Sequence, residues 1–150
     1  MRAVIPHFLS KAPPQEPFTP SAQHPFPRAP PVVGRIVNIC SIAAIKGCAA
    51  GAAYTASKHA LLGLSRNTSF MYTNTGIVTN IMIPGGVATK MLQNSKVDPD
   101  ELGTEPVRKG SQNMPGICDP NEVARTILFL AGVTDLNGAE VCVDRGWSIA

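Results

Sequence analysis

Short apolar runs that alternate with longer helical patterns restrict this chain to an α/β fold. Two of the runs, Arg35–Cys40 and Ile77–Ile83, are rich in β-branched residues and carry apolar side chains on both faces. Runs of this kind are typical of strands that a parallel sheet buries on both sides. A helical pattern follows each run, and Ala139–Val143 is predicted to be a last strand. An order of strand, helix, strand, helix and strand favours parallel pairing.

Different sequence signals mark the starts of the two predicted helices. The first carries Tyr54 and extends to about Met71, after a loop of small residues. The second begins at Pro120, a residue type favoured at the first helical position, and has apolar residues at helical spacing through Leu130. The other predicted features are turns at residues 74–76 and 137–138 and an irregular, polar stretch over residues 90–119, with short helices near 87–93 and 99–102.

The segment from Lys11 to Gly34 has a different composition from the rest of the chain. It holds eight of the 14 prolines, and no glycine precedes Gly34. Proline fixes one backbone angle and lacks an N–H donor, so this segment is predicted to be an extended, disordered insert or linker. Its PxxP spacings leave open a second reading as a ligand for a proline-recognising domain. Residues 1–10 are expected to be the remnant of a preceding helix.

Charge and composition argue against two classes of partner. The net charge is +3 and the 13 basic residues are scattered, whereas a nucleic-acid-binding surface needs them clustered. No apolar run approaches the 18 residues of a membrane-spanning helix, and the N-terminus lacks the pattern of a secretory signal. We therefore expect a cytoplasmic protein with neither kind of partner. The cysteines lack metal-ligand spacing and are expected to be reduced and mostly packed: Cys40, Cys48, Cys118 and Cys142.

Tyr54 and Lys58 form the pair with the clearest chemical potential. Their spacing places them about one turn apart on one face of the predicted helix. An ammonium close to a phenol favours the phenolate, so such a tyrosine can exchange a proton with an alcohol. Ser41 follows the first strand, at the sheet edge where open α/β folds place their chemistry. Taken alone, Ser41 could equally be a structural hydroxyl at a strand end.

The spacing of these residues resembles that of the short-chain dehydrogenase/reductase family. In that family a strand of the type IVNIS-S ends in the catalytic serine, thirteen residues before the tyrosine of a YxxxK helix. Residues 36–41, IVNICS, end in Ser41 and keep this distance from Tyr54, with Lys58 completing the motif.

Two later motifs follow in the family's order. A strand ending in Pro-Gly is followed by a threonine that meets the cofactor's carboxamide, and residues 84–89, PGGVAT, fit this pattern. The family's final V-D-G-G is matched at residues 143–146, except that Arg145 replaces a glycine. The resemblance therefore implies that residues 35–150 are the C-terminal, catalytic half of a Rossmann-type, doubly wound parallel sheet.

The resemblance also implies roles for individual residues. Ser41 would hold the oxygen of an alcohol or carbonyl substrate, Tyr54 would act as general acid/base, and Lys58 would assist Tyr54. A nicotinamide cofactor, NAD or NADP, is expected, with hydride transfer between it and a small-molecule substrate. Thr89 could instead, or in addition, cap the next short helix. The implied cofactor-binding residues are Tyr54, Lys58, Pro84, Gly85, Val87 and Thr89.

Several features of the family are missing from the sequence. No glycine-rich G-x-G-x-x-G loop occurs in it, so we expect the chain to lack the family's N-terminal cofactor-binding half. This leaves open an alternative function as a non-catalytic, truncated remnant or interaction protein that pairs with a full-length relative. By resemblance the Tyr54 helix is expected to pack against its copy in a homo-oligomer, with apolar surface from Leu61, Leu64 and Phe70.

Overall fold

A parallel sheet of three strands lies at the centre of the computed structural model, which describes residues 4–12, 29–93 and 101–150. The strands are β1 (Gly34–Ile39), β2 (Ile77–Pro84) and β3 (Glu140–Val143), in the order β1-β2-β3. Residues from Gly34 to Ile39 pair in register with residues from Ile77 to Met82. The predicted parallel α/β sheet is confirmed, and its strand ends differ from the predicted ones by at most one residue.

Helices cover the two faces of this sheet. Ile81 and Ile83 of β2 pack with Leu62 of the long helix, whereas the side chain of Asn80 reaches the carbonyl of Leu130. Neighbouring residues of a strand point to opposite faces, so the helices that carry Leu62 and Leu130 lie on opposite sides. The helices of the described residues are α1 (Val4–Leu9), α2 (Ala52–Met71), α3 (Lys90–Gln93), α4 (Glu101–Gln112) and α5 (Pro120–Gly132), with 3₁₀ turns at Ile42–Ala44 and Trp147–Ile149.

The strands β1 and β2 differ in burial. All eight residues of β2 are buried, as its apolar sequence predicts. In β1, by contrast, Arg35 is exposed and Ile39 is 38% exposed. The prediction of a fully buried strand is therefore wrong for β1. The reason is its place in the sheet, because among the described residues β1 pairs only with β2 and occupies the sheet edge.

Two asparagines join β2 to the segment that enters β3. The amide of Asn80, 1% exposed, donates to the carbonyl of Leu136 at 2.9 Å and accepts from the N–H of Ala139 at 3.1 Å. Asn137 accepts from the N–H of Thr79 at 2.9 Å. A buried amide is stable only when its donors and acceptors are paired, and here the pairs fix how β3 approaches β2.

Helix α2 packs on the sheet through small side chains. Its buried positions include Ser65, Thr68 and Ser69, and the hydroxyl of Ser65 donates to the carbonyl of Leu61. Small residues let the helix approach the strands closely. The guanidinium of Arg66 makes a two-pronged pair with Glu140 of β3, at 2.5 and 2.9 Å. This pairing lowers the pKa of Glu140, mainly through the hydrogen bond.

The stretch predicted to be irregular contains a twelve-residue helix, α4, which corrects that prediction. Pro106 lies within α4 and lacks the N–H that a helix interior needs, so local propensity disfavours this helix. Pairs of Glu105 with Arg108 and Lys109 support the helix from its exposed side. Gly110 packs against Cys48, so close that an added Cβ would lie 2.8 Å from the Cβ of Cys48. Tertiary packing therefore stabilises a helix that local propensity does not favour.

Helix α5 begins where the sequence predicts, and helix α1 packs against the start of β1. The side chain of Asp119 caps α5 by accepting from the N–H of Asn121, and Pro120 begins the helix as predicted. The short α1 buries Ile5, and Phe8 covers the glycine that begins β1. The predicted disordered character of the proline-rich segment falls mostly on residues 13–28, which lie outside the described residues.

We expect Asn80→Ala to lower the free energy of unfolding by about 2 kcal/mol, because it leaves the partly buried carbonyl of Leu136 and N–H of Ala139 without this partner. Urea denaturation measures the loss. Asn38→Ala is the matched control, since Asn38 is half-buried and its amide makes one hydrogen bond, to Ser65. Equal losses in the two variants would contradict the role given to Asn80.

Candidate active site

A cavity of about 690 Å³ opens where β1 and β2 end at their carboxyl edges. Cavities of this size are typical of small-molecule sites, and this edge of a parallel sheet is where such sites form. Every site residue predicted from the sequence lines it, although these residues come from three separate parts of the chain: Ser41, Tyr54, Lys58, Pro84, Gly85, Val87 and Thr89.

Ser41 is held in a fixed orientation at the end of β1. It precedes the 3₁₀ turn Ile42–Ala44, and its hydroxyl oxygen accepts from the N–H of Ala43 at 3.2 Å. The residue is 8% exposed. Because a hydroxyl both donates and accepts, the Ser41 hydrogen stays available for an oxygen inside the cavity. Ser41 is therefore both a cap of the turn and a candidate donor.

Lys58 links α2 to the end of β1. Its ammonium donates to the carbonyl of Ile39, the last residue of the strand, at 3.0 Å. The same ammonium lies 5.5 Å from the centre of the Tyr54 ring, within the range of a cation–π contact. The predicted one-turn spacing thus places both side chains on the face of α2 that borders the cavity. Tyr54 is 37% exposed there.

The segment after β2 is fixed by main-chain pairing with residues near Cys118. Cys118 donates its N–H to the carbonyl of Gly86 at 2.7 Å, and its own carbonyl accepts from Ala88 at 3.1 Å. Gly85 lies against the main chain of Asp144, where an added Cβ would come within 3.0 Å of Cα. The glycine is thus required for packing, and it brings Val87 to the cavity wall.

Sequence reasoning missed Trp147, which lines the cavity from the C-terminal turn and is 4% exposed. The signal was present, because it is the one tryptophan of the chain and directly follows the motif at residues 143–146. The carboxylate of Asp144 holds this turn by accepting from the N–H groups of Gly146 and Ser148. Arg145 in the same turn has φ 55°, a left-handed conformation that suits the glycine it replaces.

Two opposing effects act on the pKa of Asp144. Burial raises it, but hydrogen bonds from Ser148 and Gly146 to the carboxylate outweigh burial, so the pKa lies below its ordinary value. The charged form is therefore the one that the folded turn stabilises.

The comparisons with known proteins agree with this architecture. A family model described as enoyl-(acyl carrier protein) reductase matches residues 18–148. The short-chain dehydrogenase/reductase olcF of Penicillium canescens is 42% identical over 125 residues, which cover 77% of this chain and 48% of that protein. The chain belongs to the short-chain dehydrogenase/reductase family. It spans about half the length of the curated relatives it matches.

Solved structures of the family superimpose on the same part of the chain. Levodione reductase matches with a TM-score of 0.62 and 31% identity, over 76% of this chain and 46% of that one. A proposed D-mannonate oxidoreductase from Haemophilus influenza, in a structure with bound NAD, matches with a TM-score of 0.62 and 26% identity, over 77% and 43% of the two chains. The partial Rossmann-type fold is thereby confirmed.

The cysteines of this family member only partly follow the sequence prediction. All four are free thiols, but Cys48 and Cys142 are exposed. Cys40 lines the cavity, and burial raises its pKa while the charge of Lys58 opposes that shift. Burial also raises the pKa of Cys118, whose thiol donates to the carbonyl of Val143. These groups are therefore protonated near neutral pH.

Within residues 4–12, 29–93 and 101–150, no helix has the length and apolarity needed to cross a membrane.

We expect acid to loosen the Trp147 turn. Because the folded pKa of Asp144 is lowered, its stabilising effect is present above the ordinary value of 3.8 and disappears as the pH falls through the lower folded value. A titration of Trp147 emission between pH 7 and pH 2 checks this. Asp144→Asn, which cannot ionise, is the control and should lack the transition. Identical pH profiles for the two proteins would contradict the assignment.

Proposed function

We propose that this chain carries the catalytic part of an NAD(P)-dependent oxidoreductase that interconverts an alcohol and a carbonyl compound. The observation that supports the proposal is the convergence of Ser41, Tyr54 and Lys58 on one cavity at the carboxyl edge of the sheet. In this proposal residues 35–150 are the catalytic half, residues 11–34 are an insert or linker, and residues 1–10 are the end of a preceding helix.

The donors in the cavity fit the nicotinamide end of the cofactor. An ammonium has three hydrogens, and the carbonyl of Ile39 takes one from Lys58, which leaves two for the hydroxyls of a ribose. Thr89 and the main chain of Val87 line the same wall and suit a carboxamide. Pro84 and Gly85 shape the wall on which the ring would rest. When bound, a reduced nicotinamide supplies the hydride that the carbonyl carbon receives.

The side chains divide the remaining chemistry between them. The Ser41 hydroxyl holds the carbonyl oxygen by a hydrogen bond, and its own cap to the 3₁₀ turn keeps it oriented. Tyr54 donates its phenolic proton to that oxygen as the carbonyl π bond breaks, which gives the alcohol. The Lys58 ammonium beside the ring stabilises the phenolate that this step leaves behind. The reverse reaction moves the same proton from the alcohol to Tyr54.

The alternative is a chain that acts by pairing rather than by catalysis. The observation that favours it is the open edge of β1, where Ile39 is 38% exposed and, among the described residues, the strand pairs on one side only. An unpaired strand edge is a template for another chain. In this alternative the partner would be a full-length relative. Binding of a reduced nicotinamide cofactor, seen as a change in its fluorescence, distinguishes the two.

We expect Tyr54→Phe to lower the rate of cofactor-dependent carbonyl reduction by about 10²–10⁴-fold, the usual contribution of a general acid, while cofactor affinity is retained. NADH or NADPH oxidation and cofactor fluorescence measure the two quantities. Lys58→Met should lower both, since Lys58 serves the tyrosine and the ribose. Tyr72→Phe changes the other tyrosine, outside the cavity lining, and is the matched control. A Tyr54→Phe rate within tenfold of the unmodified chain would reject the role.

We also propose that α2 packs against α2 of a second copy. Leu64, Phe70 and Met71 are 48%, 80% and 62% exposed on this helix, whereas Leu61 packs partly against the core and adds less surface than its sequence position indicates. Light scattering at micromolar concentration should give a mass above that of the monomer, and Phe70→Glu should reduce it. Leu128→Glu, an equally exposed apolar position on α5, is the control. A monodisperse monomer would contradict this prediction.

A further inference from the structure

We infer that the cavity accepts a bulky, uncharged and largely apolar carbonyl or alcohol compound, with Met91 and Met114 as the side chains that select it. The inference rests on the proposed function, because it names the substrate class of the same site. It depends on three features of the cavity wall: its charges, its apolar side chains and the packing that fixes Met114.

Lys58 is the one charged side chain among the described residues that line the cavity. Its ammonium donates one hydrogen to the carbonyl of Ile39 and lies beside the Tyr54 ring, and the proposed function assigns the other two hydrogens to a ribose. A carboxylate or phosphate on the substrate would lose its water on entering and, among the described lining residues, would find no arginine or second lysine to pair with. The lining therefore disfavours acidic substrates and leaves a neutral one.

Apolar side chains form most of the remaining wall. Met91 forms an exposed lip of the cavity and is itself 70% exposed. A ligand that covers it removes apolar surface from water, which favours binding. Methionine is flexible and polarisable, so it adapts to ring systems of irregular outline. The apolar residues of the wall come from several separate segments of the chain and include Ile42, Ala49, Met91, Met114, Val123 and Trp147.

The position of Met114 is fixed by a glycine at the end of β2. An added Cβ on Gly86 would lie 3.0 Å from the sulfur of Met114 and 2.9 Å from the Cδ1 of Ile117. Because Gly86 has no side chain, the side chain of Met114 has room to lie in the cavity wall. Since flexible side-chain ends are what an alanine would displace, Gly86→Ala should reshape the cavity without breaking the backbone.

Trp147 provides a readout that does not require catalysis. It is the one tryptophan in the chain, it is buried and it lines the cavity. The full chain without cofactor can therefore be titrated with four ketones while Trp147 emission is followed, and calorimetry of the same titrations provides a second measure. The probes are 2-decalone, ethyl 4-oxocyclohexanecarboxylate, the free 4-oxocyclohexanecarboxylate and dihydroxyacetone.

We expect 2-decalone and the ester to bind saturably, and the free carboxylate to bind at least about tenfold more weakly than its ester because its charge is unpaired in the cavity. Dihydroxyacetone, small and polar, should bind most weakly. Equal affinity for the ester and the carboxylate, or a preference for dihydroxyacetone, would overturn the inference.

Variants of similar size test the two methionines. Met114→Gln should weaken 2-decalone binding by about five- to tenfold, because a polar amide replaces an apolar contact. Met91→Gln tests the exposed lip, where folding is not at risk. Met71→Gln, an exposed methionine of α2 outside the cavity lining, is the matched control. Unchanged binding in both cavity variants, or the same loss in the control, would contradict the inference.

The outcome of these binding experiments can be distinguished from the outcome of a test of the proposed function. If 2-decalone binds as expected but is not reduced by NADH or NADPH, the proposed function fails and the ligand class stands. If the chain instead reduces dihydroxyacetone in preference to 2-decalone with either cofactor, the ligand class fails and the proposed function stands.

Discussion

The burial of β2 on both faces is the constraint on which the rest of the structure depends. A strand with apolar residues on both sides can be covered only by helices on both sides, and α2 and α5 supply them. The strand also pairs with β1 and β3 along its two edges. Its carboxyl end, Pro84, therefore leaves the sheet at a position set by four neighbouring elements. The segment that follows Pro84 and borders the cavity is therefore held in a fixed position.

The buried amide of Asn80 does not weaken this apolar core, because its donor and acceptor groups are paired. The buried Asn80 binds main-chain groups of the segment that enters β3, and the exposed Asn137 of that segment binds the main chain of β2, so together they hold β2 and β3 at a fixed spacing. The one buried side-chain polar atom without a partner in the described residues is the hydroxyl of Thr79, next to Asn80 on the same strand. A core of this kind holds one strand register, since a shift would leave several amide groups unpaired at once.

Lys58 connects the central sheet to the candidate active site. Its bond to the carbonyl of Ile39 ties the first turns of α2 to the edge of the sheet, and its position beside Tyr54 follows from that bond. Lys58 is the one charged side chain of the described lining, so a largely apolar wall surrounds its ammonium and a small set of hydroxyls.

The sequence by itself determined the elements that depend on local patterns. It predicted the parallel sheet, helix α2 and the start of α5, and the spacing of Ser41, Tyr54 and Lys58 was enough to select residues that line one cavity. These succeed because strand periodicity, helix caps and one-turn spacing act over a few residues. Tertiary structure decided the partial exposure of β1, which among the described residues lies at the sheet edge, and it decided helix α4, which forms although Pro106 lies within it. It also decided that Trp147 faces the cavity, because residues far apart in sequence meet only after the sheet has formed.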